Sequence, residues 1–224
     1  DPPWEELSGM IFNSPDRIAA LTPKWKGERS TDGRPRDSED ILERMKAVTN
    51  DEAWGVVEKT HGYNFQFEGE WFATQPDVIL TGRVVTAQMV PLRPDLNDVV
   101  QADGASEGRS GGQNTWVIDS LEKGDVLVVD LFGKIHDGTF IGDNLATAIY
   151  TKSKNGLIVN GSVRDVSGMQ EIPGFRAFVK GVDPSAIKDV MMVGINVPIR
   201  IGETTILPGD VVVSDPEGLT FIPP

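Results

Sequence analysis

The spacing of apolar residues divides this chain near residue 78. Over residues 1–77 they are sparse, set among Trp, charged residues and turn formers. Asp37-Ser38-Glu39-Asp40 precedes Ile41, Leu42, Met45 and Val48, a helical spacing behind an acidic first turn. A second helix is predicted from about Asn50, with Ala53, Val56 and Val57 facing inward. Pro23, Gly27, Gly33 and Pro35 make residues 23–36 an irregular wrap. Residues 1–77 therefore read as a partly helical N-terminal arm or cap. Their apolar residues are too few for a core of their own.

From Val78 onward the pattern tightens. Val78-Ile79-Leu80 and Arg83-Val84-Val85-Thr86-Ala87 predict buried strands. The Gly-, Asp- and Ser-rich stretch from Pro91 to Asn114 reads as a long loop, a length found mostly in functional or disordered segments. Val126 to Asp130 is a strand entered from a turn at Gly124-Asp125. Leu145 to Lys152 is a helix, stopped by Asn155-Gly156. Leu157-Ile158-Val159 is a strand, with a tight turn at Asn160-Gly161. A short helix from Val166 to Glu171 ends before Pro173, and Phe178-Val179 is a further strand. Turns at Pro208-Gly209-Asp210 and Asp215-Pro216-Glu217-Gly218 lead into Val211-Val212-Val213 and Leu219 to Ile222. Strands alternating with short helices predict an α/β domain over residues 78–224 with a largely buried sheet.

Composition narrows the partners. The 224 residues carry a net charge of −13 with basic residues scattered, so the chain should repel phosphate backbones and no nucleic-acid partner is expected. No apolar run approaches the roughly 20 residues of a membrane helix, and no membrane association is expected. Cysteine is absent, which excludes disulfides, thiolate metal sites and cysteine nucleophiles. The chain starts at Asp1 rather than Met. A cytoplasmic location is the expectation, with a periplasmic or secreted protein after leader removal as the alternative.

Two junctions carry candidate chemistry. At Gly142-Asp143-Asn144 a strand and loop give way to the helix that begins at Leu145. Gly142 allows a sharp turn or a close ligand. Asp143 or Asn144 can cap the helix, and the free N–H groups there favour an anion such as a carboxylate. One helix and one strand later comes Val163-Arg164-Asp165. Successive strand ends in an α/β sheet meet on one edge, so Asp143 and Asp165 can converge with Arg164 beside them. Two facing carboxylates repel unless a cation lies between, and hard oxygen ligands suit Mg²⁺ or Mn²⁺ rather than Zn²⁺. Arg164 offers a planar fork for a carboxylate. The plainer alternative is two helix caps and a surface Arg–Asp pair. His61 and His136 fit no metal spacing, and both read as structural or solvated. Ser106 and Ser110 match Gly-x-Ser-x-Gly by letters, but they lack the strand-to-helix context of a nucleophile elbow. The five Trp read as packing residues.

Four segments in order resemble the RraA-like family: Gly124 to Asp130 (Gly-Asp-Val-Leu-Val-Val-Asp), Gly142 to Thr147 (Gly-Asp-Asn-Leu-Ala-Thr), Gly156 to Asp165 (Gly-Leu-Ile-Val-Asn-Gly-Ser-Val-Arg-Asp) and Pro208 to Gly218 (Pro-Gly-Asp-Val-Val-Val-Ser-Asp-Pro-Glu-Gly). Gly27-Glu28-Arg29, Asp32-Gly33-Arg34-Pro35 and Leu42-Glu43-Arg44 resemble a subgroup with a longer N-terminus. The family holds class II 4-hydroxy-4-methyl-2-oxoglutarate/4-carboxy-4-hydroxy-2-oxoadipate aldolases and inhibitors of ribonuclease E. The resemblance implies a swivelling β/β/α fold and a homotrimer or homohexamer with sites between subunits. It implies Asp165 as the divalent-metal ligand, Asp143 as the holder of a metal-bound water, and Arg164 as a substrate-binding residue. Backbone amides of Gly142, Asp143, Asn144 and Leu145 would hold a pyruvate carboxylate. Family aldolases take a further acidic residue from the C-terminal part of a neighbouring subunit; the motifs quoted do not place that residue in this chain. The implied activity is Mg²⁺- or Mn²⁺-dependent retro-aldol cleavage of a small 2-oxo acid, with oxaloacetate decarboxylation as a companion. A non-enzymatic binding protein and a lyase or isomerase of sugar acids are the alternatives.

Overall fold

The described residues, 11–224 of this computed structural model, form seven helices and eleven strands. The N-terminal part holds α1 (Pro15–Leu21), α2 (Glu39–Met45), α3 (Asn50–Lys59), β1 (Phe67–Glu68) and β2 (Phe72–Ala73). Next come β3 (Thr81–Pro91), α4 (Pro94–Ser106), α5 (Gln113–Asp119), β4 (Asp125–Lys134), α6 (Asp143–Ser153), β5 (Leu157–Val163), α7 (Val166–Gln170) and β6 (Ala177–Val182). The chain closes with β7 (Val190–Ile195), β8 (Ile199–Ile201), β9 (Thr204–Ile206), β10 (Val211–Asp215) and β11 (Gly218–Ile222).

Strands β3, β4, β5 and β6 run parallel and side by side, linked by crossovers through α4 and α5, then α6, then α7. Alternate side chains of these strands go to opposite faces. Val85, Ala87, Leu127, Val129 and Val159 pack under the helices with Trp116, Phe140 and Ile149. Val84, Val126, Val128, Ile158 and Phe178 line the other face, which β8 and β9 cover with Ile199, Ile201 and Ile206. Both faces are thus apolar, which explains the near-continuous Val-Val and Val-Leu-Val-Val runs. The two-layer sheet and its helices agree with the expected α/β class.

The sheet order is β1-β11-β10-β3-β4-β5-β6-β2, with β7 also paired to β3. Only three residues separate β1 from β2, although they pair with opposite ends of the sheet. An extended stretch from Phe67 to Ala73 spans roughly 20 Å, so the sheet must curl until β11 and β6 approach within that reach. The second apolar cluster fills the resulting trough, with Phe178 from one end and Leu219 and Phe221 from the other.

The N-terminal part is tied in at two further places. Asn50 opens α3 behind a Thr49–Glu52 capping box, and its Nδ2 donates to Asp215 Oδ1 (2.5 Å) and Gly218 O (2.9 Å). Arg34 runs under the sheet: Nη1 and Nη2 donate to Asp125 Oδ1 and Oδ2 at 2.9 and 3.0 Å, and Nε donates to Asp32 Oδ2 at 2.6 Å. Arg34 and Asp125 are 1% and 0% exposed.

Two local expectations are corrected. Pro91 to Asn114 is not a loop, because α4 fills most of it. Pro94 starts that helix where a missing N–H costs nothing, and Gly104 lies flat against the Trp116 ring, where any side chain would collide. Asn160-Gly161 is not a turn but the interior of β5, opposite an irregular stretch of β4. Asn160 Nδ2 donates to Asp130 Oδ1 (2.9 Å), and a Cβ on Gly161 would come within 2.8 Å of Leu131 Cβ. That glycine marks a close backbone approach. Among the described residues no helix is long and apolar enough to cross a membrane.

Candidate active site

The carboxyl ends of β4 and β5 meet through backbone bonds. After β4 the chain returns along the end of β5: the Phe140 N–H donates to Ser162 O (2.9 Å) and the Arg164 N–H to Ile141 O (3.0 Å). Asn114, inside α5, fixes this return from below, its Nδ2 donating to Phe140 O at 2.9 Å. Gly142 is thereby set directly beside Arg164 and Asp165.

Helix α6 starts at Asp143, two residues earlier than expected, with Gly142 as its N-cap and no side-chain cap. The capping reading of Asp143 and Asn144 is therefore corrected. Among the described residues Asp143 Oδ1 accepts only the N–H of the adjoining Asn144 (2.8 Å), and its other oxygen is turned toward α7. A Cβ on Gly168 would sit 2.5 Å from Asp143 Oδ2, and a Cβ on Gly142 would sit 2.5 Å from Asp165 Oδ2 and 3.1 Å from Arg164 Nε. Two glycines thus clear the space in which Asp143, Arg164 and Asp165 gather. Leu145 and the half-exposed Asp143 lie in the first turn of α6, where helix geometry leaves backbone N–H groups without intrahelical partners. The N–H of Asn144 is already engaged by Asp143.

Arg164 Nε lies 3.2 Å from Asp165 Oδ2, with the side chains 31% and 49% exposed. An ion pair that open to water contributes at most about 1 kcal/mol. Asp165 meanwhile holds a left-handed backbone, φ 57° and ψ 42°, a strain of roughly 1 kcal/mol or more for a residue with a side chain. The pair is therefore worth little as a stability device. Two hard carboxylates and no soft donor suit a Mg²⁺ ion, which commonly takes one or two protein carboxylates and keeps several waters. Among the described residues no group of three or more His, Cys, Asp or Glu side chains is placed to hold a metal ion.

The other sequence candidates lie elsewhere. His136 is 85% exposed and reaches only Asp183, at 3.3 Å. His61 is exposed. Ser106 ends α4 and bonds to Asp103 O, far from any elbow geometry. Trp116 is core, and Trp4 falls outside the described residues. Sequence reasoning missed Gly168 and Asn114. A lone glycine inside a short helical tract was the available signal for the first. The second was hidden in a stretch read as loop. A cavity of about 540 Å³ opens at the opposite edge, by Thr81, Gly124 and Asn155, so cavity size does not mark this chemistry.

Comparison with known proteins adds four relationships. The RraA-like family model, described as Aldolase/RraA, matches residues 52–221. A protein of Halalkalibacterium halodurans, provisionally named 4-hydroxy-4-methyl-2-oxoglutarate aldolase, is 31% identical over 142 residues, 62% of this chain and 66% of its own length. The 4-hydroxy-4-methyl-2-oxoglutarate aldolase of Thermus thermophilus is 32% identical over 108 residues, 48% of this chain and 64% of its own. The chain thus spans slightly under two thirds of each curated relative. Among solved structures, Streptomyces coelicolor RraAS2, described as an unusual member of the RNase ES inhibitor RraA protein family, aligns with a TM-score of 0.69. It is 25% identical, over 84% of this chain and 87% of its own.

Proposed function

Because the chain belongs to the RraA-like family, we propose that it is an aldolase-type lyase, dependent on a divalent metal, that cleaves a small 4-hydroxy-2-oxo acid to pyruvate. The observation that carries this reading is the gathering of Asp143, Arg164 and Asp165 around Gly142 and Gly168 at the carboxyl edge of the sheet. The aldolase names of the two sequence relatives support the reaction class.

Asp165 and Asp143 would hold Mg²⁺ or Mn²⁺, Asp165 directly and Asp143 through water. When bound, the ion supplies Lewis-acid polarisation of a 2-oxo acid. The N–H groups at the start of α6, those of Gly142, Asp143 and Leu145 and that of Asn144 once Asp143 releases it, bind the substrate carboxylate. Arg164 would offer its planar fork to the keto side and stabilise the negative charge that grows there as the C3–C4 bond breaks. Asp143, through the water it would hold, takes up the proton of the 4-hydroxyl. That proton leaves, C4–O becomes a carbonyl, and the C3–C4 electron pair passes into the enolate of pyruvate. One proton returned to C3 completes the product. Decarboxylation of oxaloacetate passes through the same enolate and is expected alongside.

The direct test follows pyruvate release from 4-hydroxy-4-methyl-2-oxoglutarate and from oxaloacetate. Activity should vanish in EDTA and return with Mg²⁺ or Mn²⁺. Full turnover in a chelated, metal-free sample would remove the metal from the proposal. Gly168→Ala offers a geometric check, since its new methyl would press on Asp143 Oδ2. A displacement near 1 Å at a reacting group costs about 100-fold. The variant should lose about that much in kcat/KM with an unchanged circular dichroism spectrum, and normal kinetics would show that Asp143 does not act.

A non-enzymatic binding role is favoured by one observation, the likeness to RraAS2. Calorimetric titration of Mg²⁺ with and without pyruvate separates the two. The lyase requires that each tighten the other, and a binding protein without this site requires neither. A panel of 2-oxo and aldonic acids would separate an aldolase from a sugar-acid lyase or isomerase on the same residues.

A further inference from the structure

We propose a second ligand site, remote from the lyase site, that takes a small organic ammonium with an aromatic or branched apolar body. Its place is a cavity of about 350 Å³ between the turn after α1, the segment after α3, the β9–β10 turn and the end of β11. That volume is at the small end of ligand pockets, about 300–1,000 Å³. Leu21, Trp25, Tyr63, Leu207 and Pro223 give it apolar and aromatic walls, and Asp210 lines it from the interior. Lys24 stands exposed at the rim.

Asp210 is the reason for assigning a cation. Its side chain is buried, yet among the described residues only one oxygen is satisfied: Oδ2 accepts the Leu207 N–H at 2.9 Å, while Oδ1 has no hydrogen-bond partner there. Buried carboxyl oxygens rarely stay unpartnered, and one that does beside a cavity is a candidate to receive a donor from it. Burial pushes this carboxyl up to about 7, against the opposing pull of the Leu207 N–H. A ligand N⁺–H at Oδ1 would supply both the missing donor and the missing countercharge. Trp25 and Tyr63 suit the body of such a ligand, because aromatic faces attract cations and their apolar substituents. Nothing here depends on the lyase reading. The Asp210 carbonyl accepts the Val84 N–H (2.8 Å), toward the amino ends of the parallel strands, whereas Arg164 follows the carboxyl end of β5.

Asp210→Asn separates a ligand role from a turn-forming one. Asparagine keeps an oxygen for the Leu207 N–H, so the turn at Pro208-Gly209 survives, but the charge is gone. The whole chain, labelled with ¹⁵N, would be titrated with benzylammonium and with its neutral analogue benzyl alcohol. In the unsubstituted protein benzylammonium should shift the amides of Gln66, Leu207 and Asp210 and the Trp25 indole, and should saturate. In Asp210→Asn its affinity should fall at least tenfold, while benzyl alcohol binds the two proteins alike. No saturable shift at these groups overturns the site, and so does a loss of less than tenfold. Should Asp210→Asn fail to fold, Trp25→Ala takes its place under the same threshold.

Discussion

Asp125→Ala is expected to destabilise the fold by about 5 kcal/mol and Arg34→Ala by about 3 kcal/mol, the two ends of the range for breaking a buried ion pair. The pair is fully buried, and its fork is bidentate. Burial opposes the Arg34 cation, but Asp125 and Asp32 together outweigh it and hold its pKa above the usual arginine value. The order of the two variants follows from Arg83, whose Nε lies 3.8 Å from Asp125 Oδ1 and whose pKa burial pushes down. Without Arg34, Asp125 still has Arg83 nearby and the Glu122 N–H at 2.8 Å. Without Asp125, Arg34 keeps only the partly exposed Asp32, and two guanidinium groups are left buried side by side. Urea unfolding of both variants checks this, and for a chain of this size the melting temperature should fall by roughly 10 °C. Losses below 1 kcal/mol, or the reverse order, would show that the cluster is not the clamp described.

Asp165→Asn should lower kcat/KM for pyruvate release by at least about 100-fold while leaving the fold intact. The substitution isolates charge from shape. Asparagine has the same size and tolerates the left-handed backbone that Asp165 adopts as readily as aspartate does. Because the Arg164–Asp165 pair is partly exposed, its loss should move the melting temperature little. Arg164→Lys is the companion measurement. Lysine keeps the charge but not the fork, and the expected loss is roughly 2–4 kcal/mol of transition-state stabilisation, seen in kcat more than in KM. If both variants melt lower but turn over normally, these residues are structural and the active site lies elsewhere.

The parts of this molecule legible in the sequence share one property: their signal is local. The Val-rich runs of β3, β4 and β10, the helix ending before Asn155-Gly156, and the closeness of two successive strand ends all follow from short-range patterns. Arg34 shows the opposite case. It sits in a Gly- and Pro-rich stretch that reads as loose wrap, and its partner Asp125 is 91 residues away, so no window of sequence contains both. Gly104 and Gly161 misled for another reason. Glycine marks turns, but it also marks places where another group passes too close for a Cβ, here the Trp116 ring and Leu131. At the site itself, the residue types pointed to Asp143, Arg164 and Asp165. The spacing could not reveal that Gly168 makes room for Asp143, because that contact exists only once α6 and α7 cross.

The seven residues from Phe67 to Ala73 guard both borders of the sheet at once. An unpaired border strand offers a row of free N–H and C=O groups on which another chain can build, a route from a folded sheet to an aggregate. Here β1 covers part of β11 and β2 covers part of β6, and each cover is only two residues long. A single proteolytic cut between Ala73 and Thr81 would leave those covers held only by their own short pairings and by the ties of the N-terminal part, such as Arg34–Asp125 and Asn50–Asp215. Their loss would bare two borders in one event, converting a sheet closed upon itself into one that can recruit strands from its neighbours.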